Sequence, residues 1–241
     1  MITEKWSQYI ILALIGAIVI VGAFGFLRPT VINQLEEENR LSVTGTATLS
    51  AAPDEVVILA GAETLAAEAD DSQRANAGLI SAIRSALERK GLTAENVTTA
   101  SYYLEIAREW NKTTERMEIV GYRTVHILKI KSSNLNKAGD YVDAAVSGGA
   151  NRVDSVTFGL STAKEADYRK QALEQAGANA RERADAAAQG LGVRVTRVVR
   201  ASEGYVSIVP YTRALAAEAA TEITPGQVEV SASVSVTYEI A

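Results

Sequence analysis

The first pattern along the chain is an apolar run with no charged residue between Trp6 and Leu27. Tyr9 to Leu27 reads YIILALIGAIVIVGAFGFL, which as a helix reaches about 28 Å, close to the ~30 Å hydrocarbon core of a bilayer. Trp6 and Tyr9 stand where interfacial aromatics belong, and Arg28-Pro29 ends the run. A cleaved signal peptide has a shorter apolar core of about 7–15 residues. A soluble helix of this length would keep one polar face. The pattern therefore predicts a short N-terminal tail over residues 1–8 and a transmembrane anchor, or uncleaved signal anchor, over residues 9–27. Cleavage at Val21-Gly22-Ala23 or Ala23-Phe24-Gly25 is the competing reading.

Residues 28–41 hold Pro29 and the acidic run Glu36-Glu37-Glu38, a solvated linker. Beyond it, alternation and helical periodicity take turns. Leu41–Leu49 and Glu55–Leu65 read as strands around the turn Ala52-Pro53-Asp54. Asp70, Asp71 and Ser72 supply capping oxygens for a helix that runs to Lys90 with Leu79, Ile80, Ile83, Ala86 and Leu87 on one face. Gly91 suits the left-handed conformation that ends it, and Leu92 closes back on the last turn. Val97–Trp110 and Ile119–Lys131 form an antiparallel hairpin around the polar tip 111–115. A shorter helix follows over Asn134–Val146, stopped by Gly148-Gly149, then a strand over Arg152–Ser161 and a long helix over Lys164–Gln189. That helix carries an alanine stripe (Ala172, Ala176, Ala180, Ala184, Ala187, Ala188), which fits close intramolecular packing or a self-association seam. Val193–Tyr205 and Val228–Ile240 close the chain as strands.

Two helices, ending in Lys90-Gly91-Leu92 and Gln189-Gly190-Leu191, are each followed by two long strands. The expected fold is α+β: duplicated helix–strand–strand units forming antiparallel sheet covered by helices, preceded by one N-terminal transmembrane helix.

Composition narrows the chemistry. The 241 residues include no cysteine, a single histidine and a formal charge of −5. Disulfides, thiolate metal sites and cysteine nucleophiles are thereby excluded, and an acidic chain is a poor partner for nucleic acid. Charge near the apolar run leaves its orientation open, with Lys5 on one side and Arg28 and Arg40 on the other. The sequons Asn96-Val97-Thr98 and Asn111-Lys112-Thr113 are compatible with export.

Candidate site residues are few. His126 alternates with Val120, Tyr122, Thr124, Leu128 and Ile130 on one strand face, with no nucleophile or orienting carboxylate at a telling spacing. Gly190-Leu191-Gly192 precedes a strand instead of opening a helix, which excludes a dinucleotide fingerprint. By strict alternation Arg197 faces away from Arg194 and Arg200, which reads as a solvated strand. The segment around Pro210, Tyr211 and Thr224-Pro225-Gly226 is a long connection, and loop 206–226 is a candidate partner surface. No catalytic, cofactor-binding or metal-binding residue is assigned, and no cofactor is expected.

Several stretches together resemble the SIMPL-domain family. They are Val43-Thr44-Gly45-Thr46-Ala47 with Ala52-Pro53-Asp54; Ile119-Val120-Gly121-Tyr122-Arg123 leading to Gly148-Gly149-Ala150 and Val156-Thr157-Phe158; and Pro225-Gly226-Gln227-Val228-Glu229-Val230 before Val234-Ser235-Val236-Thr237-Tyr238. The resemblance covers about residues 42–240, in order, and defines a SIMPL domain over 42–241. It implies an exported α+β domain of a family that includes periplasmic immunogenic and oxidative-stress-linked proteins, with no agreed catalytic residues. The expectation is a non-enzymatic, membrane-anchored extracytoplasmic (periplasmic or extracellular) protein that forms a homo-oligomer or docks a protein partner at the cell envelope. The alternatives are a ligand-binding or hydrolytic envelope protein with a pocket near His126, using Tyr122 or Arg123, and an accessory subunit of a membrane transporter.

Overall fold

The computed structural model describes residues 39–213 and 226–241. The expected tail and anchor, most of the acidic linker, and residues 214–225 of the long loop lie outside the described residues. No helix among the described residues is long and apolar enough to cross a membrane. All that follows concerns the compact unit Leu41–Ala241 and the first strand leading into it.

The order is β1 (Arg40–Ala51), β2 (Glu55–Ala66), α1 (Ala69–Glu88), β3 (Val97–Asn111), β4 (Arg116–Ser132), a 3-10 turn (Leu135–Lys137) continuing as α2 (Ala138–Ser147), β5 (Arg152–Gly159), α3 (Thr162–Leu191), β6 (Val195–Val209), β7 (Tyr211–Arg213) and β8 (Val228–Ile240). Two sheets form, a five-stranded one ordered β3-β4-β2-β5-β7 and a three-stranded one ordered β1-β8-β6. The recorded pairings are antiparallel. The fold is thus mixed α/β, and the two expected helix–strand–strand units fall in different sheets: α1-β3-β4 belongs to one, whereas β6 and β8 belong to the other. Periodicity marks strands but not which strand each will choose as neighbour.

On the five-stranded sheet, Val56, Ile58, Ala60 and Ala62 of β2 and Leu128 and Ile130 of β4 point to the same side and meet Ile80, Ile83 and Leu87 of α1 and Tyr141, Val142 and Ala145 of α2. Each such aliphatic side chain contributes roughly 1.5–3 kcal/mol by burial. Gly91 ends the α1 region with φ of +90°, and Leu92 is buried with its N–H donating to the Leu87 carbonyl. The start of α1 departs from expectation. Its N-cap is Glu68, which makes no side-chain cap, and Asp70 and Asp71 supply only favourable charge in the first turn. Ser72 is fully buried, and its hydroxyl pairs with Thr124 Oγ1 at 2.9 Å and donates to the Thr64 carbonyl at 3.1 Å. It ties helix to sheet and does not cap.

Among the described residues, the three-stranded sheet is covered by α3. Ala172, Ala176, Ala180, Ala184 and Ala188 are all buried against it, with Val228, Val230, Ala232, Val236 and Tyr238 of β8. Ala187 lies off this row, half-buried. A row of residues four apart runs oblique to the helix axis, so it tracks a twisted sheet. The stripe is consumed inside the molecule. The fit is backbone-close: a Cβ on Gly45 of β1 would lie 2.0 Å from the Ala176 carbonyl oxygen and 2.4 Å from Ala180 N. Here glycine is required by approach, not by φ.

Asp54 joins the two layers. At the β1–β2 turn, its carboxylate accepts from Ser161 N at 2.7 Å and from the Ser161 hydroxyl at 2.8 Å. Ser161 is itself the N-cap of α3, accepting from Lys164 N. Partial burial pushes the Asp54 carboxyl up, yet the two Ser161 bonds and the Lys164 ammonium outweigh it and leave the group below the usual carboxylate range.

Gly45→Ala is expected to cost about 3 kcal/mol or more through overpacking, whereas Gly78→Ala, where an added Cβ meets nothing within 4 Å, is expected to be neutral or slightly stabilising. Thermal melts of the two variants check the pair. Equal effects would contradict the close approach of α3.

Candidate functional site

His126 sits on β4, paired with Ala62 of β2 and Tyr102 of β3. Its Nε2 shares a 2.9 Å hydrogen bond with Thr99 Oγ1, and the Tyr102 ring meets it edge-on at 5.3 Å between centroids. Burial, and after it the charge of Arg84, hold the imidazole below its ordinary pKa. Arg84 is itself engaged, donating to the Val97 carbonyl. Thr99 and Tyr102 make a poor nucleophile and a poor orienter, so the arrangement reads as a satisfied, half-buried strand histidine.

The residues expected to join His126 do not converge on it. Tyr122 lies on the helix-bearing side of the sheet with His126, while Arg123, one residue on, lies on the open side. There it enters an ion network across four neighbouring strands. Glu105 of β3 meets Arg123 of β4 at 3.2 Å, and Arg123 Nε lies 2.8 Å from Glu63 of β2. Glu63 in turn meets Arg152 of β5 at 3.3 Å, and Arg152 meets Asp154 at 3.2 Å. Three carboxylates answer the two guanidiniums of this network. Val120 also drops out of the expected face, because the register slips between Ala107 and Arg108 opposite Gly121.

The outer face of the three-stranded sheet is a hydroxyl array. Ser42 pairs with Thr237 at 2.9 Å, Thr44 with Ser235 at 3.2 Å and Thr48 with Ser231 at 3.1 Å. Alternation placed Arg197 opposite in sense to Arg194 and Arg200, and the structure overturns this. Shifts in the β6–β8 register set Arg197 against Glu239 and Arg200 against Thr237, with the Arg194 backbone bonded to Ala241. All three arginines therefore share one face, since each bulge adds a residue to the period. Arg200 borders an open depression of about 390 Å³ with Ser42, Thr44, Ser202, Ser235 and Thr237. Among the described residues, no group of histidine and carboxylate side chains could hold a metal ion.

The most distinctive surface is the outer part of the β3–β4 hairpin, which runs past the end of α1 as a two-stranded arm. Register puts Tyr102 opposite His126, Leu104 opposite Thr124, Ile106 opposite Tyr122, Arg108 opposite Ile119 and Trp110 opposite Met117, all on the helix-bearing side. Trp110 is 58% exposed, Met117 56% and Ile119 60%, with Tyr102, Leu104 and Ile106 at 40–47%. Glu105, Glu109 and Glu118 take the reverse face, and at the tip Glu118 accepts from Asn111 at 2.8 Å and Thr114 at 2.6 Å. Both strands were expected from the sequence. That their apolar side would be left bare was not, because alternation does not say how far a helix extends over it.

The fold is thus a mixed α/β domain with two antiparallel sheets and, among the described residues, an apolar arm face that no helix covers. The SIMPL family model, described as a protein of unknown function (DUF541), matches residues 41–238, and the chain belongs to this family. Among its relatives is a protein of Edwardsiella ictaluri named "Uncharacterized protein YggE", 25% identical over 182 residues, covering 76% of this chain and 75% of the relative. The "26 kDa periplasmic immunogenic protein" of Brucella melitensis and that of Brucella abortus are each 26% identical over 194 residues, covering 78% of this chain and 76% of the relative.

With one histidine in the chain, its titration can be read directly. A depressed folded pKa means that the unfolded chain takes up the proton first. The stability that His126 contributes is therefore full above about pH 6.5 and is lost as pH falls through the folded value. The imidazole Cε1–H resonance should titrate below 6.5 in the folded protein and near 6.5 in urea. A folded midpoint at or above 6.5 would contradict the buried, Arg84-facing placement.

Proposed function

We propose that this chain is a non-catalytic assembly module of the cell envelope. Residues 9–27 hold it in the membrane, and the SIMPL domain stands on the extracytoplasmic side and binds protein surfaces, its own included. The observation that carries the reading is the apolar face of the β3–β4 arm, with Trp110, Met117 and Ile119 each more than half exposed. Contiguous apolar surface of this kind marks an interaction site. Two further points support it. Relatives over more than three quarters of the chain carry the word periplasmic in their names, and an uncharged run from Trp6 to Leu27 has the length of a membrane span. A non-enzymatic role is favoured because His126, the sole imidazole, is engaged by Thr99 and Tyr102, and Arg123 by Glu63 and Glu105.

Alkaline phosphatase fused after Ala241, a reporter active only outside the cytoplasm, is expected to be active in whole cells and to stay with membranes washed in carbonate. Amine-reactive crosslinking of the same cells should give bands at multiples of the chain mass. An inactive fusion, or a chain that remains single and partnerless when crosslinked, overturns the proposal.

A further inference from the structure

The three-stranded sheet turns its outer face away from α3, and one place on that face gathers hydrogen-bond donors. The hydroxyl pairs Ser42–Thr237 and Thr44–Ser235 join β1 to β8. On the other side of β8, register sets Arg200 and Ser202 of β6 opposite Thr237 and Ser235. These six side chains line the open depression of about 390 Å³, a volume at the small end of ligand sites. No carboxylate among the described residues lines it.

The groups around it hold protons that nothing uses. Among the described residues the Arg200 guanidinium, with its five N–H donors, has no hydrogen-bond or ion-pair partner. Each hydroxyl pair holds two protons and uses one between its oxygens, so each keeps one to donate. Ser202 Oγ stands 3.5 Å from the Glu203 carbonyl, too far to hold its proton there. Charge agrees with this. Glu239 is the neighbouring carboxylate on the face, and Arg197 engages it at 2.5 Å. The hydroxyl pairs, continued one step, bring Arg40 to the other side of Glu239. Arg40, Arg197 and Arg200 against Glu239 leave this end of the face cationic. Glu203 is opposite Val234, which packs toward α3, and Glu229 lies about 26 Å along β8 from Thr237.

Donors therefore arrive from two directions, the guanidinium from β6 and hydroxyl protons from the floor of β1 and β8. A tetrahedral group with three terminal oxygens meets both at once, whereas a planar carboxylate satisfies the fork alone. The next row, Thr44, Ser235 and Ser202, lies about 7 Å along the strands and can both donate and accept, which suits alcohol groups. Thr48, Ser207 and Ser231 continue the polar face, so nothing beside the depression would enter a bilayer. We infer that this depression binds a small, water-soluble phosphate monoester of a polyol. Arg200 and the Ser42–Thr237 pair hold the phosphate, and Thr44, Ser235 and Ser202 hold the hydroxyls. The site is on the sheet that does not carry the arm, so it stands or falls apart from the assembly proposal.

The test uses the full chain in a polyoxyethylene detergent at about 0.15 M salt, where loose surface attraction is screened. Binding of glycerol phosphate is read from its phosphorus linewidth and from the protein's amide shifts. It should saturate and move the amides of Ser42, Arg200, Ser202 and Thr237. Glycerate, with a carboxylate in place of the phosphate, should bind at least threefold more weakly. Arg200→Gln should weaken binding about tenfold or more, with the parent's thermal melt, because the side chain belongs to no core cluster. Ser42→Ala with Thr237→Val removes one whole hydroxyl pair and should weaken it about threefold. Arg183→Gln, the same change of charge at an exposed position of α3, should bind like the parent. Dihexanoyl phosphatidic acid, a phosphate on two short acyl chains, should bind no tighter than glycerol phosphate. Broadening that never saturates, an Arg200→Gln protein that binds like the parent, or an equal loss in Arg183→Gln overturns the site. Glycerate bound as well as glycerol phosphate overturns the phosphate, and tighter binding of the lipid overturns the water-soluble source.

Discussion

A residue of β-strand advances about 3.3 Å and a residue of α-helix about 1.5 Å, and this mismatch governs what the domain can cover. The 20-residue α1 reaches about 30 Å, while β4, at 17 residues, reaches about 55 Å. Once α1 and α2 have sealed β2 and the adjoining parts of β4 and β5, no helix among the described residues remains for the outer halves of β3 and β4. Their alternation continues nonetheless, so apolar side chains still line one side of a ribbon that has left the sheet. The charged residues Glu105, Glu109 and Glu118 on the reverse side keep that ribbon from being apolar all round.

The three-stranded sheet solves the same problem differently. α3 is 30 residues long and lies along the whole of β8, but it does so with alanine alone on its buried row. Alanine gives little area per residue, and the compensation is proximity: the helix backbone comes so near β1 that only glycine fits at position 45. The alanine row is thus spent inside the fold. Asp54 secures the same helix from its other end by holding the capping serine, so the β1–β2 turn and the start of α3 are positioned together.

Much of this is legible in the residues. Alternation marks the hairpin strands to within three residues, the four-residue alanine spacing marks the inner row of α3, and Gly91 marks the end of α1. What stays hidden depends on partners distant in sequence. Nothing local tells β8 to pair with β1 and β6 while β4 pairs with β2 and β3. Bulges are equally silent: those in β6 carry Arg197 to the face of Arg200, and the slip opposite Gly121 removes Val120 from the His126 face. Ser72, with the composition of a cap, is drawn inward because two threonines on neighbouring strands offer better-buried partners. The bare arm was the least legible of all, since it is set by where a helix stops and not by the strands themselves.

Trp110 reports on that arm directly. The chain has only one other tryptophan, Trp6, so a Trp6→Phe variant isolates its emission. The account predicts emission shifted to the blue at high protein concentration, moving to the red on dilution in step with loss of the assembled mass. A solvent-exposed spectrum that stays the same at every concentration would contradict it.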